Sequence, residues 1–108
     1  MQDINEIINE LIENAVVVTL LFGDESCAPC HALKQKIDRW HEDFPEVETR
    51  YVPIADNMEL CGQLGVFSVP SLSCYIEGKN VAFESGYFSL EVFLGKVERY
   101  LELYRQIN

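Results

Sequence analysis

One run of residues, Ala15 to Phe22 (AVVVTLLF), constrains the fold of this chain more than any other. Its eight residues are β-branched or apolar on both alternating faces, interrupted only by Thr19. A strand with one wet face alternates apolar with polar; this run does not, so it reads as a strand inside a sheet covered by helices on both sides. It is also far too short to cross a bilayer as a helix. A turn, Gly23-Asp24-Glu25-Ser26, follows, and then Cys27-Ala28-Pro29-Cys30 opens a helical pattern. At such a strand-to-helix junction the first sulfur lies over unpaired backbone N–H groups and the positive end of the helix dipole, which favour the thiolate. Pro29 suits the first helical turn, where its missing N–H had no partner anyway.

The rest of the chain supplies helices and strands around that run. Residues 2–14 carry Ile4, Ile7, Ile8, Leu11 and Ile12 at the helical period, with acids opposite and Asn14 able to close the helix. From Ala28 to Phe44, Leu33, Ile37, Trp40 and Phe44 recur at helical spacing until Pro45. Val47 to Ile54 alternates as a strand, and Pro53 marks its terminus or a sheet edge. Asp56 or Asn57 can cap a short helix bearing Met58, Leu60, Cys61 and Leu64. Ser71 to Ile76 is a third strand, Glu77-Gly78-Lys79-Asn80 a tight turn, and Val81 to Ser85 a fourth strand. Ser89 caps a final helix with Leu90, Phe93, Leu94, Val97, Tyr100, Leu101 and Tyr104 on one stripe. Gly95 weakens it locally. The order αβαβαββα predicts an α/β fold: a mixed central sheet of four strands between helices, with two right-handed βαβ crossovers and a final antiparallel hairpin.

Size and charge narrow the function classes. The 108 residues suit one domain, 1–108, large enough for a core without staples. Eighteen acidic against eight basic side chains, net −10, argue against nucleic acid or an anionic membrane as partner. The opening Met1-Gln2-Asp3-Ile4-Asn5-Glu6 is acidic and polar, not the basic start of a signal peptide, so the expected compartment is the cytoplasm. In a reducing cytosol four cysteines do not form a disulfide framework, and Cys27-x-x-Cys30 reads as redox-active or metal-binding.

Cys27-Ala28-Pro29-Cys30 in this order of elements resembles the thioredoxin family. The likeness runs over roughly residues 15–106. Val69-Pro70, followed by a strand, is similar to the family's hydrophobic residue and cis-proline. Gly78 and Gly86 fall at the family's hairpin glycine and at the glycine beside its substrate groove. Three positions depart from the family: Ser26 replaces a tryptophan, Leu21 a buried aspartate, and Tyr51 that aspartate's lysine partner. Gln35 stands where the next helix usually has a kinking proline. With 26 residues before Cys27, the family's first edge strand is expected to be absent.

The resemblance implies a thiol–disulfide oxidoreductase that acts on protein disulfides and is recycled by a thioredoxin-reductase-type or other electron donor, with no cofactor. Cys27 would be the nucleophile and Cys30 the resolving thiol; Pro29, Val69, Pro70 and Gly86 would meet the substrate. The pair Ala28-Pro29 resembles reducing members. Asp24 and Glu25 would oppose the thiolate and a charged His31 favour it. Without the carboxylate at position 21, the proton of the second step must pass to water, an exposed group or the substrate. Two other classes use the same residues. An adaptor would keep the fold with weak turnover. A metal or redox sensor would use Cys27, Cys30 and His31, with His41 or Cys61 as a fourth ligand, although a second Cys-x-x-Cys at zinc spacing is missing. Cys27 to His31 also matches c-type haem attachment, which needs export and a haem-sized pocket. Cys61 and Cys74 read as small buried hydrophobes, Cys61 being the better candidate for a regulatory thiol.

Overall fold

A computed structural model describes residues 4–107. Gln2 and Asp3, the first residues of the expected N-terminal helix, lie outside the described residues. The elements are α1 (Ile4–Asn14), β1 (Val17–Gly23), α2 (Ala28–Asp43), β2 (Glu48–Pro53), α3 (Met58–Leu64), β3 (Ser71–Ile76), β4 (Lys79–Ser85) and α4 (Leu90–Ile107). The four strands form one mixed sheet in the order β2-β1-β3-β4.

All seven residues of β1 are buried, and the strand divides its side chains between two cores. Val18, Leu20 and Phe22 pack with Ile8 and Ile12 of α1 and Leu60 and Cys61 of α3. Val17 and Leu21 pack with Ile37 of α2 and with Phe93, Leu94, Val97 and Leu101 of α4. That alternation across a two-residue period is why an unbroken apolar run belongs at the sheet's centre. Ala15 stays with α1, donating its N–H to the Leu11 carbonyl at 2.9 Å, so the strand begins two residues later than the apolar run.

One expectation about topology fails. β1 and β2 are parallel, as a βαβ unit requires, but β3 runs antiparallel to β1. The link between β2 and β3 is therefore not a second βαβ crossover. The reason is length. A parallel crossover must carry the chain back along the sheet, about 20 Å for six residues, whereas the seven residues of α3 rise only about 10 Å. The chain re-enters the sheet at the end it left.

β4 starts at Lys79 rather than Val81 because the turn needs only two residues. Glu77 and Gly78 both have positive φ, 49° and 83°, the two-residue geometry that matches the twist of a hairpin. Asn57 precedes α3, but its side chain makes no capping bond; its Nδ2 donates instead to the Pro53 carbonyl at 2.8 Å. At α4 the expected cap is present, with the Val92 N–H donating to Ser89 Oγ at 3.2 Å.

Candidate active site

Strand register brings the singled-out residues to one end of the sheet. Gly23 ends β1 opposite Pro53 of β2, Phe22 pairs with Ser71 of β3, and Ser71 pairs with Ser85 of β4. The residues that follow Gly23, precede Ser71 and follow Ser85 thus gather at that edge. They are the Cys27–Cys30 turn, Val69-Pro70 and Gly86.

Cys27 stands at the N-cap of α2 in extended conformation and Cys30 in its first turn. The two are joined as a disulfide. The Cys30 N–H donates to Cys27 Sγ at 3.2 Å, and the Cys27 N–H donates to the Asp24 carbonyl at 3.0 Å. Cys27 is half-buried, whereas Cys30 is 0% exposed. That asymmetry separates their chemistry: an outside sulfur atom can reach the first cysteine but not the second. Cys27 Sγ also occupies the place of a capping oxygen, so an N–H that no helical carbonyl would take points at the sulfur. Pro29 is exposed in the same first turn.

His31 is exposed, and its Nε2 lies 3.0 Å from the Glu25 carbonyl, a bond the ring makes as donor. The ring thus ties the helix back to the turn before the cysteines. Among the described residues no group of three His, Cys, Asp or Glu side chains is placed to hold a metal ion.

The Val69–Pro70 peptide bond is cis. Pro70 is buried and Val69 half-buried, and among the described residues Val69 enters no backbone hydrogen bond of the turns and loops. Gly86 joins this corner directly, donating its N–H to the Pro70 carbonyl at 2.9 Å. Three serines brace the same loop. Ser71 Oγ donates to the Ser68 carbonyl at 2.6 Å, and Ser85 Oγ lies 2.7 Å from Ser68 Oγ and 3.0 Å from Ser71 Oγ.

Below the cysteine turn, Leu21 is 3% exposed. Tyr51 pairs with it in register, and its ring swings over the next same-side position, Gly23. A Cβ built on Gly23 would stand 2.3 Å from the Tyr51 oxygen and 2.8 Å from two ring carbons. Burial, then Asp24, push the Tyr51 phenol above its ordinary value; Lys34 opposes them, and Glu25 adds the smallest push. An open cavity of about 170 Å³ lies between α2 and the sheet here, walled by Leu21, Ile37, Tyr51 and Leu72. Sequence reading marked Tyr51 only as a departure. The glycine at the end of an otherwise bulky strand was the signal that something large lies across it.

Cys61 and Cys74 are buried and free. Burial pushes the thiol of Cys61 up and that of Cys74 to about 12. Among the described residues, no helix is long and apolar enough to cross a membrane.

The comparisons agree with this geometry. The thioredoxin family model matches residues 2–98. The chain is 28% identical over 78 residues to the thioredoxin-like protein YdfQ of Bacillus subtilis, spanning 72% of this chain and 70% of that one. Its fold is similar to a mutant thioredoxin from Halobacterium salinarum, with a TM-score of 0.77 at 22% identity over 86% of this chain and 81% of that one. It is also similar to thioredoxin 1 of Thermosipho africanus, with a TM-score of 0.76 at 23% identity over 82% and 98%. With the family model matched from the first helix into the last, the chain belongs to the thioredoxin family.

Proposed function

We propose that this chain is a single-domain thiol–disulfide oxidoreductase that reduces protein disulfides. The carrying observation is the Cys27–Cys30 pair at the start of α2, its first sulfur accessible and hydrogen-bonded and its second buried. In the reduced protein the Cys27 thiolate attacks one sulfur of a substrate disulfide. A Cys27–substrate disulfide forms, and the other substrate sulfur leaves as a thiolate and takes a proton. Cys30, after losing its proton, attacks Cys27 Sγ and expels the second substrate thiolate. Two electrons have then passed to the substrate and the protein holds its disulfide. An external dithiol donor of the reductase type restores it.

Pro29, Val69, Pro70 and Gly86 would form the docking surface. Val69 supports that role because its backbone groups, unused in the turns and loops, lie beside the cis bond and can pair with an extended segment. The acidic composition fits a soluble cytoplasmic partner of other proteins. A second reading, an adaptor with weak turnover, draws on Leu21: a buried leucine at that position cannot relay a proton.

Insulin reduction with a dithiol as electron source tests the proposal. Wild type should turn over, Cys27→Ser should not, and Cys30→Ser should accumulate mixed disulfides on Cys27. A wild-type protein without turnover refutes it and leaves the adaptor.

A further inference from the structure

The loop that carries Val69 has little backbone bonding of its own. The Val66 N–H donates to the Cys61 carbonyl, and the Pro70 carbonyl accepts from Gly86. Between them, among the described residues, no backbone–backbone bond of the turns and loops reaches Phe67, Ser68 or Val69. Packing does not replace those bonds, because Phe67 is 84% exposed, Ser68 is exposed and Val69 is half-buried. A segment this free loses backbone entropy when something pairs with it.

Three hydroxyls supply what the backbone lacks, and their arrangement fixes the direction of every bond. The Ser68 carbonyl can only accept, so the single hydroxyl proton of Ser71, 2.6 Å away, is committed to it. Ser71 Oγ lies 3.0 Å from Ser85 Oγ and must then accept from it. With its own proton committed there, Ser85 must accept from Ser68 Oγ at 2.7 Å. The bonds run from Ser68 to Ser85, on to Ser71 and back to the Ser68 carbonyl, a closed one-way ring. Each hydroxyl polarises the next, so the bonds strengthen one another. Ser71 anchors the ring: it is 0% exposed and stands in register between Phe22 of β1 and Ser85 of β4. The ring therefore fastens Ser68 to the sheet on one side of Val69, while the Gly86 N–H fastens Pro70 on the other.

We propose that this serine ring is a positioning device for the substrate, with Ser85 as its central residue. It rests on the exchange reading above, in which an extended segment pairs with the Val69 backbone. By holding Ser68, the ring presents the Val69 N–H and carbonyl already ordered, so binding does not have to order them. Its effect falls on binding and not on the sulfur chemistry, since the three hydroxyl protons are committed within the ring.

The test has two disulfides. Insulin reduction with a dithiol is read as KM and kcat. Single-turnover reaction of the reduced protein with the dithiobis(nitrobenzoate) disulfide, which has no backbone to pair, is read from the coloured thiolate it releases. Ser85→Ala removes two of the ring's three bonds. It should raise KM for insulin about tenfold, the equivalent of ordering one backbone residue on binding. Its kcat and its rate with the small disulfide should stay within about twofold of wild type. Ser68→Ala removes one hydroxyl bond and should raise KM less. The double variant should be no worse than Ser85→Ala, because both serines act through one ring. Ser85→Thr keeps the hydroxyl and should restore KM.

Backbone NMR relaxation reads the ring without activity. The Val69 amide should move from a rigid order parameter of about 0.85 toward the flexible range below about 0.6 in Ser85→Ala. An unchanged insulin KM, a Val69 that stays rigid, an equal loss with the small disulfide, or serine effects that multiply overturns the ring while the exchange reading stands. Wild type that reacts with neither disulfide overturns the exchange reading itself and the ring's part in it.

Discussion

Gly23 is required by Tyr51, and the pair can be tested as one unit. A methyl group at position 23 would sit 2.3 Å from the Tyr51 oxygen and 2.8 Å from Cε2 and Cζ. Carbon contacts relax at about 3.5 Å, so the ring must yield by about 1 Å. It can, because Tyr51 borders the open cavity of about 170 Å³ beneath α2 and is only half-buried. Overpacking costs about 1–3 kcal/mol, and a ring with somewhere to go belongs in the lower half of that range. Gly23→Ala should therefore cost about 1–2 kcal/mol and lower Tm by roughly 5–10 °C in a domain of this size. In a Tyr51→Ala background the methyl enters vacated space, and the same substitution should be neutral to within about 0.5 kcal/mol. Thermal melts of the four proteins give the coupling. A second readout follows the ring: pushed toward water, the Tyr51 phenol should titrate closer to its ordinary value, as seen in its ring NMR signals. Equal costs of Gly23→Ala in both backgrounds would refute the packing argument.

Two further outcomes can be checked on the same footing. Cys74 keeps its proton to about 12 when folded, against an ordinary 9.0 in the unfolded chain, so its contribution to stability is complete below pH 9 and lost as pH rises toward 12. Urea midpoints should accordingly fall with a slope of about 1.4 kcal/mol per pH unit above pH 9 in wild type, and less steeply in Cys74→Ala; parallel slopes would show that Cys74 is not the titrating group. Gly95 lies inside α4 with nothing within 4 Å of an added Cβ, so Gly95→Ala should raise stability by about 1 kcal/mol in a thermal melt, and an unchanged Tm would mean that this position requires glycine.

The sequence carried whatever depends on period and local chemistry. The two-faced burial of β1, the apolar stripe of α4, the Ser89 cap and the cysteines at a helix start each follow from neighbours within a few residues. The direction of β3 does not. It depends on whether a connection is long enough to return along the sheet, and a seven-residue helix inside a longer loop conceals that shortfall. Asn57 shows a similar limit: it had the residue type of a cap, but the Pro53 carbonyl was nearer its amide. Tyr51 over Gly23 is a contact between segments far apart in the chain, and neither residue alone has a distinctive signature.

Those non-local contacts bear on how the proposed chemistry proceeds. The first attack depends on Cys27, whose sulfur receives the Cys30 N–H and faces the helix dipole, so its ionisation has local support. The second attack depends on Cys30, which is 0% exposed. A buried thiol yields its proton reluctantly unless a charged or hydrogen-bonding group assists, and Leu21 offers neither at the position where the family has a carboxylate. Tyr51, its phenol held neutral by burial and by Asp24 and Glu25, is no base for that proton. Of the acceptors that remain, water, an exposed group or the substrate, the thiolate released in the first attack is the most basic. A segment paired with the Val69 backbone beside Cys27 would keep that thiolate near Cys30 long enough to take the proton. Substrate anchoring and proton removal are then the same requirement, and a small disulfide that is not anchored should stall after the first exchange while an anchored segment completes the second.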